Sequence, residues 1–174
     1  LLADSNELAL IVEDVAELDG LTSGELSAAA QAATDRGHEG SYALTLTLYT
    51  GHPYLSVLTN RTTRKKLMDA SRSKSSRGGA NDNREVLLEI VRLRAERAAL
   101  LGYENHAAYV TADETAGSPE AVHTLLRQLA PPAAANTLRE QTALQAMVDL
   151  EPEPFTLAAE DWAFYTEKVR QAEY

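Results

Sequence analysis

A chain of 174 residues provides one ordinary domain and is too short for two domains of typical size. Its residues are 44% apolar but only 6% aromatic, with Ala and Leu predominating, and this mixture favours helices over strands. The sequence has no Cys, which excludes a disulfide framework, a thiolate metal site and a Cys nucleophile.

The formal net charge is −10, and it is unevenly distributed. Residues 1–60 carry a net charge of −8, residues 61–97 carry +6, and residues 98–174 carry −8. Phosphate binding requires several cations on one face without opposing charge nearby, so we expect no nucleic-acid partner. The basic segment is most simply a solvated helix followed by a loop.

No stretch approaches the roughly 18 consecutive apolar residues of a membrane span, and no secretory signal is visible at the start. We therefore expect no membrane partner, and the absence of Cys favours a cytoplasmic location, unless a signal sequence precedes Leu1. The chain starts with Leu and stops just after an amphipathic run, so we expect it to be an internal part of a longer protein.

The predicted elements begin with a helix over residues 8–18, which Gly20 ends. Thr22 and Glu25 form a capping box that opens a second, Ala-rich helix ending near Gly37. The first helix is predicted from apolar residues at helical spacing, which are Leu8, Ile11, Val12, Val15 and Leu18.

Residues 42–49 alternate with a period of two and predict the clearest strand in the chain. A lone strand leaves its backbone hydrogen-bonding groups unpaired, so this strand needs a partner. Residues 54–58 either provide it as the second strand of a hairpin or form a short helical turn, in which case the partner lies outside the chain. The predicted strand places Tyr42, Leu44, Leu46 and Leu48 on one face and Thr45 and Thr47 on the other.

Asn60 caps a predicted helix that reaches about Ser71. Residues 72–81 follow as a predicted mobile loop, because they are rich in Ser and Gly and have no apolar face to bury. The helix is predicted to carry Arg61, Arg64, Lys65 and Lys66 outward and Leu67 and Met68 inward.

Asp82 and Glu85 form a second predicted capping box. The helix behind it has the strongest apolar pattern in the chain, and Gly102 ends it. One stripe of this helix is traced by Val86, Leu87, Ile90, Val91, Arg94, Ala98 and Leu101.

Together with the remaining local signals, these elements predict a mainly α fold of about seven helices with one short β-strand or hairpin. Asn105 caps a short helix, and residues 118–120 (Ser-Pro-Glu) start another, which the Pro pair at 131–132 must break or kink. A further helix carries Leu138, Leu144 and Val148, and the last one starts near Asp161 with Trp162, Tyr165 and Val169 on its inner face.

The residue types needed for catalysis are present, but their spacing does not favour a site. None of the four His has a second His four positions along, so no helical turn presents two imidazoles to one metal ion. The four are His38, His52, His106 and His123.

Other candidates have simpler structural explanations. The Ser residues from 71 to 76 lie at the end of the predicted helix and in the predicted loop, outside any Gly-x-Ser-x-Gly turn. The acid pairs at 113–114 and 160–161 lie near helix ends, where the helix dipole explains them. Trp162 and Tyr165 are expected in the core. We therefore assign no catalytic, cofactor-binding or metal-binding residue.

Short motifs spread along the chain resemble the thimet oligopeptidase family of zinc metallopeptidases, and within it the bacterial peptidyl-dipeptidases. The resemblance covers essentially the whole chain, and the motifs occur in the order of the family. They are residues 81–85, 91–103, 105–110, 118–122, 129–133 and 161–170, with residues 18–21, 42–48 and 60–64 upstream.

This resemblance implies a helical segment, residues 1–174, of a two-lobed peptidase that hydrolyses short peptides. The family holds its zinc with a His-Glu-x-x-His helix and a Glu on a following helix, and the sequence contains no such motif. No ligand or catalytic base is therefore transferred to any residue here. We expect zinc in the longer parent only, and a scaffold role in this chain, with a place in the cleft wall left open.

A second interpretation is a stand-alone helical interaction module without enzymatic activity, which docks a partner through the stripe between Val86 and Leu101. Under the first interpretation, apolar surface that the parent would cover is expected to cause self-association of this chain. Release of dipeptides and internal cleavage by the parent cannot be distinguished from these residues.

Overall fold

The computed structural model of the protein describes residues 2–47 and 51–173. In these residues the fold is mainly α, as expected, with eight α-helices, two short 3-10 helices and one two-stranded sheet. In chain order the elements are α1 (Leu2–Glu7), β1 (Ala9–Val12), a 3-10 helix (Val15–Leu18), α2 (Ser23–Thr34), β2 (Tyr42–Thr45), α3 (Gly51–Tyr54), α4 (Arg61–Arg72), α5 (Arg84–Leu100), α6 (His106–Thr111), α7 (Pro119–Val148), a second 3-10 helix (Ala159–Asp161) and α8 (Trp162–Glu173). Among these described residues no helix is both long enough and apolar enough to cross a membrane.

The two strands are antiparallel, and their register pairs Ala9 with Thr45 and Val12 with Tyr42. The helix predicted over residues 8–18 is wrong, because α1 ends before it and β1 takes its place. β2 requires a hydrogen-bonding partner, and β1 supplies one that contains two β-branched residues suited to a strand. Ala9–Val12 are four consecutive apolar residues, and such a short run is compatible with a buried strand as well as with a helix.

Residues 54–58 do not pair with β2. They follow on from α3 as a turn, so the helical alternative for this segment is correct and both partners suggested for the strand are wrong. β2 itself ends at Thr45, and the predicted strand residues 48 and 49 lie outside the described residues.

The main hydrophobic core combines both strands with residues of α2 and α4. Leu44 and Leu46 are completely buried, as the alternating pattern predicts, but Ala43, which precedes them on the opposite face of the strand, is buried as well. The core residues are Leu8, Val12, Leu18, Ala29, Leu44, Leu46, Leu55, Leu58 and Leu67.

The predicted capping box of α2 is confirmed. The Thr22 hydroxyl accepts the N–H of Glu25 at 3.3 Å, and the Glu25 carboxylate accepts the N–H of Thr22 at 2.8 Å. The cap of α4 is confirmed too, since the Asn60 side chain accepts the N–H of Thr63 at 3.0 Å.

The second predicted capping box is wrong. α5 begins at Arg84, and the preceding Asn83 makes no side-chain capping bond. Asp82 instead accepts the N–H of Gly78 at 2.7 Å, so its carboxylate closes a turn in the segment before the helix.

The mobile loop over residues 72–81 stays a prediction. In the structure α4 includes Arg72, and turns follow it. The Asp4 carboxylate accepts the N–H of Ser75 at 2.5 Å and is paired with Arg77 at 2.8 Å. These contacts connect the segment to α1.

The predicted start of α7 is confirmed at Pro119, with the Ser118 hydroxyl accepting the N–H of Ala121 at 3.2 Å. Of the break or kink predicted at residues 131–132, the break is wrong, because α7 continues through both prolines, and the kink stays a prediction. Prolines lack an N–H, so the carbonyls of residues 127 and 128 receive no helical hydrogen bond. This part of α7 is exposed, which leaves those carbonyls to water.

The chain divides into two compact units. The first comprises Leu1–Asp82 and Thr142–Tyr174 and contains the sheet, α1 to α4 and α8. The second comprises Asn83–Gln141 and contains α5, α6 and most of α7. The structure describes all of the second unit, and Ala98 is the one apolar residue buried there.

Gly20 occupies a position that no side chain fits. Its φ is +99°, and an added Cβ would lie 1.9 Å from the carbonyl oxygen of Val57. We expect Gly20→Ala to lower the free energy of unfolding in urea by about 2 kcal/mol or more, because the backbone must shift.

Gly24, in α2, provides the matched control, since nothing lies within 4 Å of its added Cβ. Gly24→Ala is expected to leave the free energy of unfolding unchanged or to raise it by up to about 1 kcal/mol. Equal effects of the two substitutions would contradict the close approach at Gly20.

Candidate functional site

A surface groove of about 430 Å³ in the first unit gathers charged and aromatic side chains. One part of its lining comes from α4 and the residue before its cap, and the other from residues 151–168. The cations are Arg61, Arg64 and Lys168, the rings are Phe155, Phe164 and Tyr165, and the acids are Glu151 and Glu153.

A buried carboxylate, Asp161, joins these two parts of the chain. Its Oδ1 accepts from Arg64 Nη2 at 2.8 Å and from Arg61 Nε at 3.1 Å. Its Oδ2 accepts from Arg61 Nε at 3.0 Å, from Arg61 Nη2 at 2.9 Å and from the N–H of Ala158 at 3.1 Å. One buried anion is therefore compensated by two cations and a peptide group.

Arg64 is 1% exposed, so the prediction that it points outward is wrong. Its Nη1 donates to the carbonyls of Leu58 at 2.9 Å and Thr59 at 3.0 Å, while Nη2 reaches Asp161. Positions three apart lie on one face of a helix, and Arg64 shares its face with the buried Leu67. The carboxylate and the two carbonyls replace water at both Nη atoms of this guanidinium, whereas its buried Nε makes no hydrogen bond.

Aromatic rings add a second contact to each arginine. The guanidinium carbon of Arg61 lies 3.9 Å from the ring centre of Phe155, and that of Arg64 lies 4.3 Å from the ring centre of Phe164. The negative face of an aromatic ring attracts a cation, most strongly where water is excluded. These rings therefore help to hold both cations against residues 155–164.

Burial and hydrogen bonding act in opposite directions on Asp161. Burial raises the pKa of this carboxyl, but the hydrogen bonds from Arg61 and Arg64 lower it more, and the pKa lies below its usual value. Asp161 is therefore an ionised carboxylate at neutral pH with both oxygens engaged. It holds the structure together and is not a free general base.

A second acid in the groove, Glu151, makes a smaller cluster. Its Oε1 accepts from Lys168 Nζ at 2.7 Å and from the Tyr165 hydroxyl at 3.1 Å. The Lys168 hydrogen bond lowers the pKa of Glu151 against the effect of burial. Burial, together with the Glu151 charge, raises the pKa of Tyr165 to about 12, so this hydroxyl stays protonated and also offers no base.

The structure does not bring the histidines together. His38 and His123 are exposed, His106 lies beside the ring of Tyr109, and the side chain of His52 is outside the described residues. In the described ranges 2–47 and 51–173, no three His, Asp or Glu side chains are grouped so as to hold a metal ion. The described residues therefore do not fit a zinc site.

Sequence reasoning missed the Asp161 cluster, because Asp161 was attributed to helix-end electrostatics and Arg64 to the solvent face. The available signal was the pair Arg61 and Arg64 at a spacing of three, next to Leu67 on one helix face. The expectation that Tyr165 lies in the core is confirmed, since it is 2% exposed.

Comparison with known proteins identifies the family to which this helical fold belongs. The model described as "Peptidase family M3" matches residues 55–174, which include every residue that lines the groove. The chain therefore belongs to peptidase family M3, and the resemblance found in its motifs is confirmed.

Among similar proteins are the "Dipeptidyl carboxypeptidase" of Escherichia coli (strain K12), 34% identical, and that of Salmonella typhimurium (strain LT2), 38% identical, each over 174 residues. "Oligopeptidase A" of Escherichia coli (strain K12) is 34% identical over 168 residues, or 94% of this chain. The matches cover 26%, 26% and 25% of these proteins, so the chain spans about a quarter of the length of its relatives.

Removing the buried charge of Asp161 tests its structural role. We expect Asp161→Asn to lower the free energy of unfolding in urea by about 3–5 kcal/mol, because two guanidinium groups lose their anion. Asp69→Asn is the control, since it breaks the exposed Lys65–Asp69 pair and exposed pairs contribute little. A loss at Asp161 no larger than that at Asp69 would contradict the assignment.

The lowered pKa of Asp161 also predicts how stability depends on pH. A carboxyl whose pKa is lower in the folded state stabilises fully above its unfolded pKa, and this contribution is lost as the pH falls through the folded pKa. The difference in unfolding free energy between the unsubstituted chain and Asp161→Asn should be constant from about pH 7 to 5 and shrink below about pH 4. Urea unfolding of both proteins across this pH range measures the difference. A difference independent of pH would contradict a lowered pKa for Asp161.

Proposed function

We propose that this chain is the helical scaffold segment of a zinc-dependent metallopeptidase that hydrolyses short peptides, and that the catalytic groups belong to other parts of the parent. Membership of peptidase family M3 carries the proposal. The names of the relatives, "Dipeptidyl carboxypeptidase" and "Oligopeptidase A", support a peptide substrate, and their greater length supports a longer parent.

Zinc in the parent would polarise the scissile carbonyl and lower the pKa of its bound water. The described residues of this chain do not fit such a site. The proposal therefore assigns the zinc ligands to polypeptide outside residues 1–174. It also places the parent in the cytoplasm, on the absence of Cys.

The contribution of this chain is mechanical. Asp161 and its two arginines fasten residues 151–173 to α4, and α4 in turn packs on the sheet through Leu67. Because the Asp161 carboxylate is buried and fully hydrogen-bonded, its contacts resist the reorientation of α8. A rigid support of this kind is what a positioned catalytic centre requires from its surroundings.

The alternative, a stand-alone interaction module, draws support from one observation. Seven large apolar residues of α5 are exposed, as a partner-docking helix would have them. A binding module of this kind would function at its present length, whereas a peptidase scaffold would not.

Zinc binding and peptide hydrolysis test the proposal together. We expect the purified 174-residue chain to bind no stoichiometric zinc by isothermal titration calorimetry and to hydrolyse no short peptide detectable by mass spectrometry. The protein encoded by the complete gene should hydrolyse such peptides, and a chelator should abolish the activity. Chelator-sensitive hydrolysis by the 174-residue chain, or a gene that encodes no further peptidase sequence, would overturn the proposal.

A further inference from the structure

α5 exposes more apolar surface than a solvent-facing helix normally does. Most of these side chains lie within the first ten residues of the helix, and one further residue, Leu100, is 88% exposed at its end. Six large residues, Val86, Leu87, Leu88, Ile90, Val91 and Leu93, are between 40% and 61% exposed.

The exposed residues occupy more than half of the helix circumference. Successive residues are rotated by about 100°, so these six positions span an arc of about 220°. We call this surface the apolar arc of α5. It is wider than the single stripe expected from the sequence, because Leu88 and Leu93 extend it on either side.

The opposite side of α5 is a narrow polar stripe. Glu85, Glu89, Arg92 and Glu96 fall on it, and Arg92 is paired with both Glu89 and Glu96. Neighbouring charges satisfied by one another along a helix are typical of a water-facing side. Over residues 86–93, α5 therefore has one side suited to water and an apolar arc suited to an interior. Three cations, Arg84, Arg94 and Arg97, lie on the same side of the helix as the arc, before and after this stretch.

The width of the arc determines what kind of partner covers it. One packed neighbour covers an apolar stripe of about 100°, whereas a helix that is apolar over most of its circumference belongs to the interior of a large protein. A second copy of this chain in a two-fold contact would cover one face only. The arc needs neighbours on at least two sides.

We propose that α5 is an interior helix of the longer peptidase, and that the apolar arc is covered by polypeptide of the same chain outside residues 1–174. The inference rests on the proposed function in one respect, that the parent is a longer member of family M3. The relatives provide the required material, since about three quarters of their length lies outside the match.

The rest of the second unit supports the same conclusion. In α7, Leu125, Leu126, Leu129 and Leu138 are between 54% and 64% exposed. With Ala98 as its one buried apolar residue, the unit lacks a core that would hold its helices in place. Its helices therefore depend on the covering polypeptide for stability.

Hydrogen exchange measured by mass spectrometry tests the proposal on two proteins. The first is the 174-residue chain, in which amides of α5 should exchange much faster than those of α4. The second is the Escherichia coli dipeptidyl carboxypeptidase with its matching segment replaced by this chain. There, exchange in α5 should be slower by about 100-fold or more than in the 174-residue chain.

Two substitutions to Lys separate the arc from the polar stripe. Val91→Lys, on the arc, should leave thermal unfolding of the 174-residue chain unchanged and remove the protection of α5 in the replacement protein. Glu96→Lys, on the stripe, should preserve that protection. Val91→Ala, which introduces no charge, should cause a partial loss if Val91→Lys prevents folding.

Several results would overturn the proposal. These are slow exchange of α5 in the monomeric 174-residue chain, a dimer of that chain with a protected α5, or equal effects of Val91→Lys and Glu96→Lys in the replacement protein. Self-association that leaves α5 exchange fast agrees with an uncovered arc. If the replacement protein protects α5 but hydrolyses no peptide, the proposed function fails and the inference stands. If it hydrolyses peptides while α5 stays unprotected, the inference fails and the proposed function stands.

Discussion

A buried carboxylate cannot remain ionised without compensation, and this constraint organises the first unit of the protein. Asp161 lies 97 positions from Arg64 in the sequence, yet the two are 2.8 Å apart in the fold. Because this one anion needs cations beside it, residues 151–173 lie against α4, and the side chains of two arginines are directed toward the carboxylate. The aromatic rings, the groove and the Glu151 cluster all follow from that juxtaposition, because they lie on the same two parts of the chain.

The sequence is a good guide to three helix starts, which depend on neighbouring residues, and a poor one to contacts between distant residues. Local signals also fail at the second capping box and at the break expected at residues 131–132. The capping residues Thr22, Asn60 and Ser118 each bond to an N–H three positions away, and all were predicted. β1 was predicted as helix because its identity depends on β2, more than thirty residues later. Arg64 was placed outward for the same reason, since its anion lies on a segment that no local pattern connects to α4.

The functional conclusions have two sources, which are membership of the family and the contacts of this chain's own residues. Peptidase family M3 gives the class of enzyme, and the described residues of the chain form no group of His, Asp and Glu that could hold a metal ion. The buried charges of the first unit are already neutralised by one another, which suits a support. The second unit shows the opposite property, because its apolar side chains are exposed and it has no hydrophobic core of its own. Both properties are those of a segment that works inside a larger molecule.

The interdependence of the two segments is measured most directly by a double-mutant cycle between Arg64 and Asp161. If one neutralises the other in the interior, Asp161→Leu should destabilise strongly, because it leaves the buried Arg64 without its anion. Arg64→Met should destabilise as well, because Asp161 then keeps only Arg61 and the N–H of Ala158. The double variant should then recover a large part of the loss, which corresponds to a coupling energy of about 2–3 kcal/mol. Purely additive losses of unfolding free energy would show that the ion pair does not hold α8 against α4.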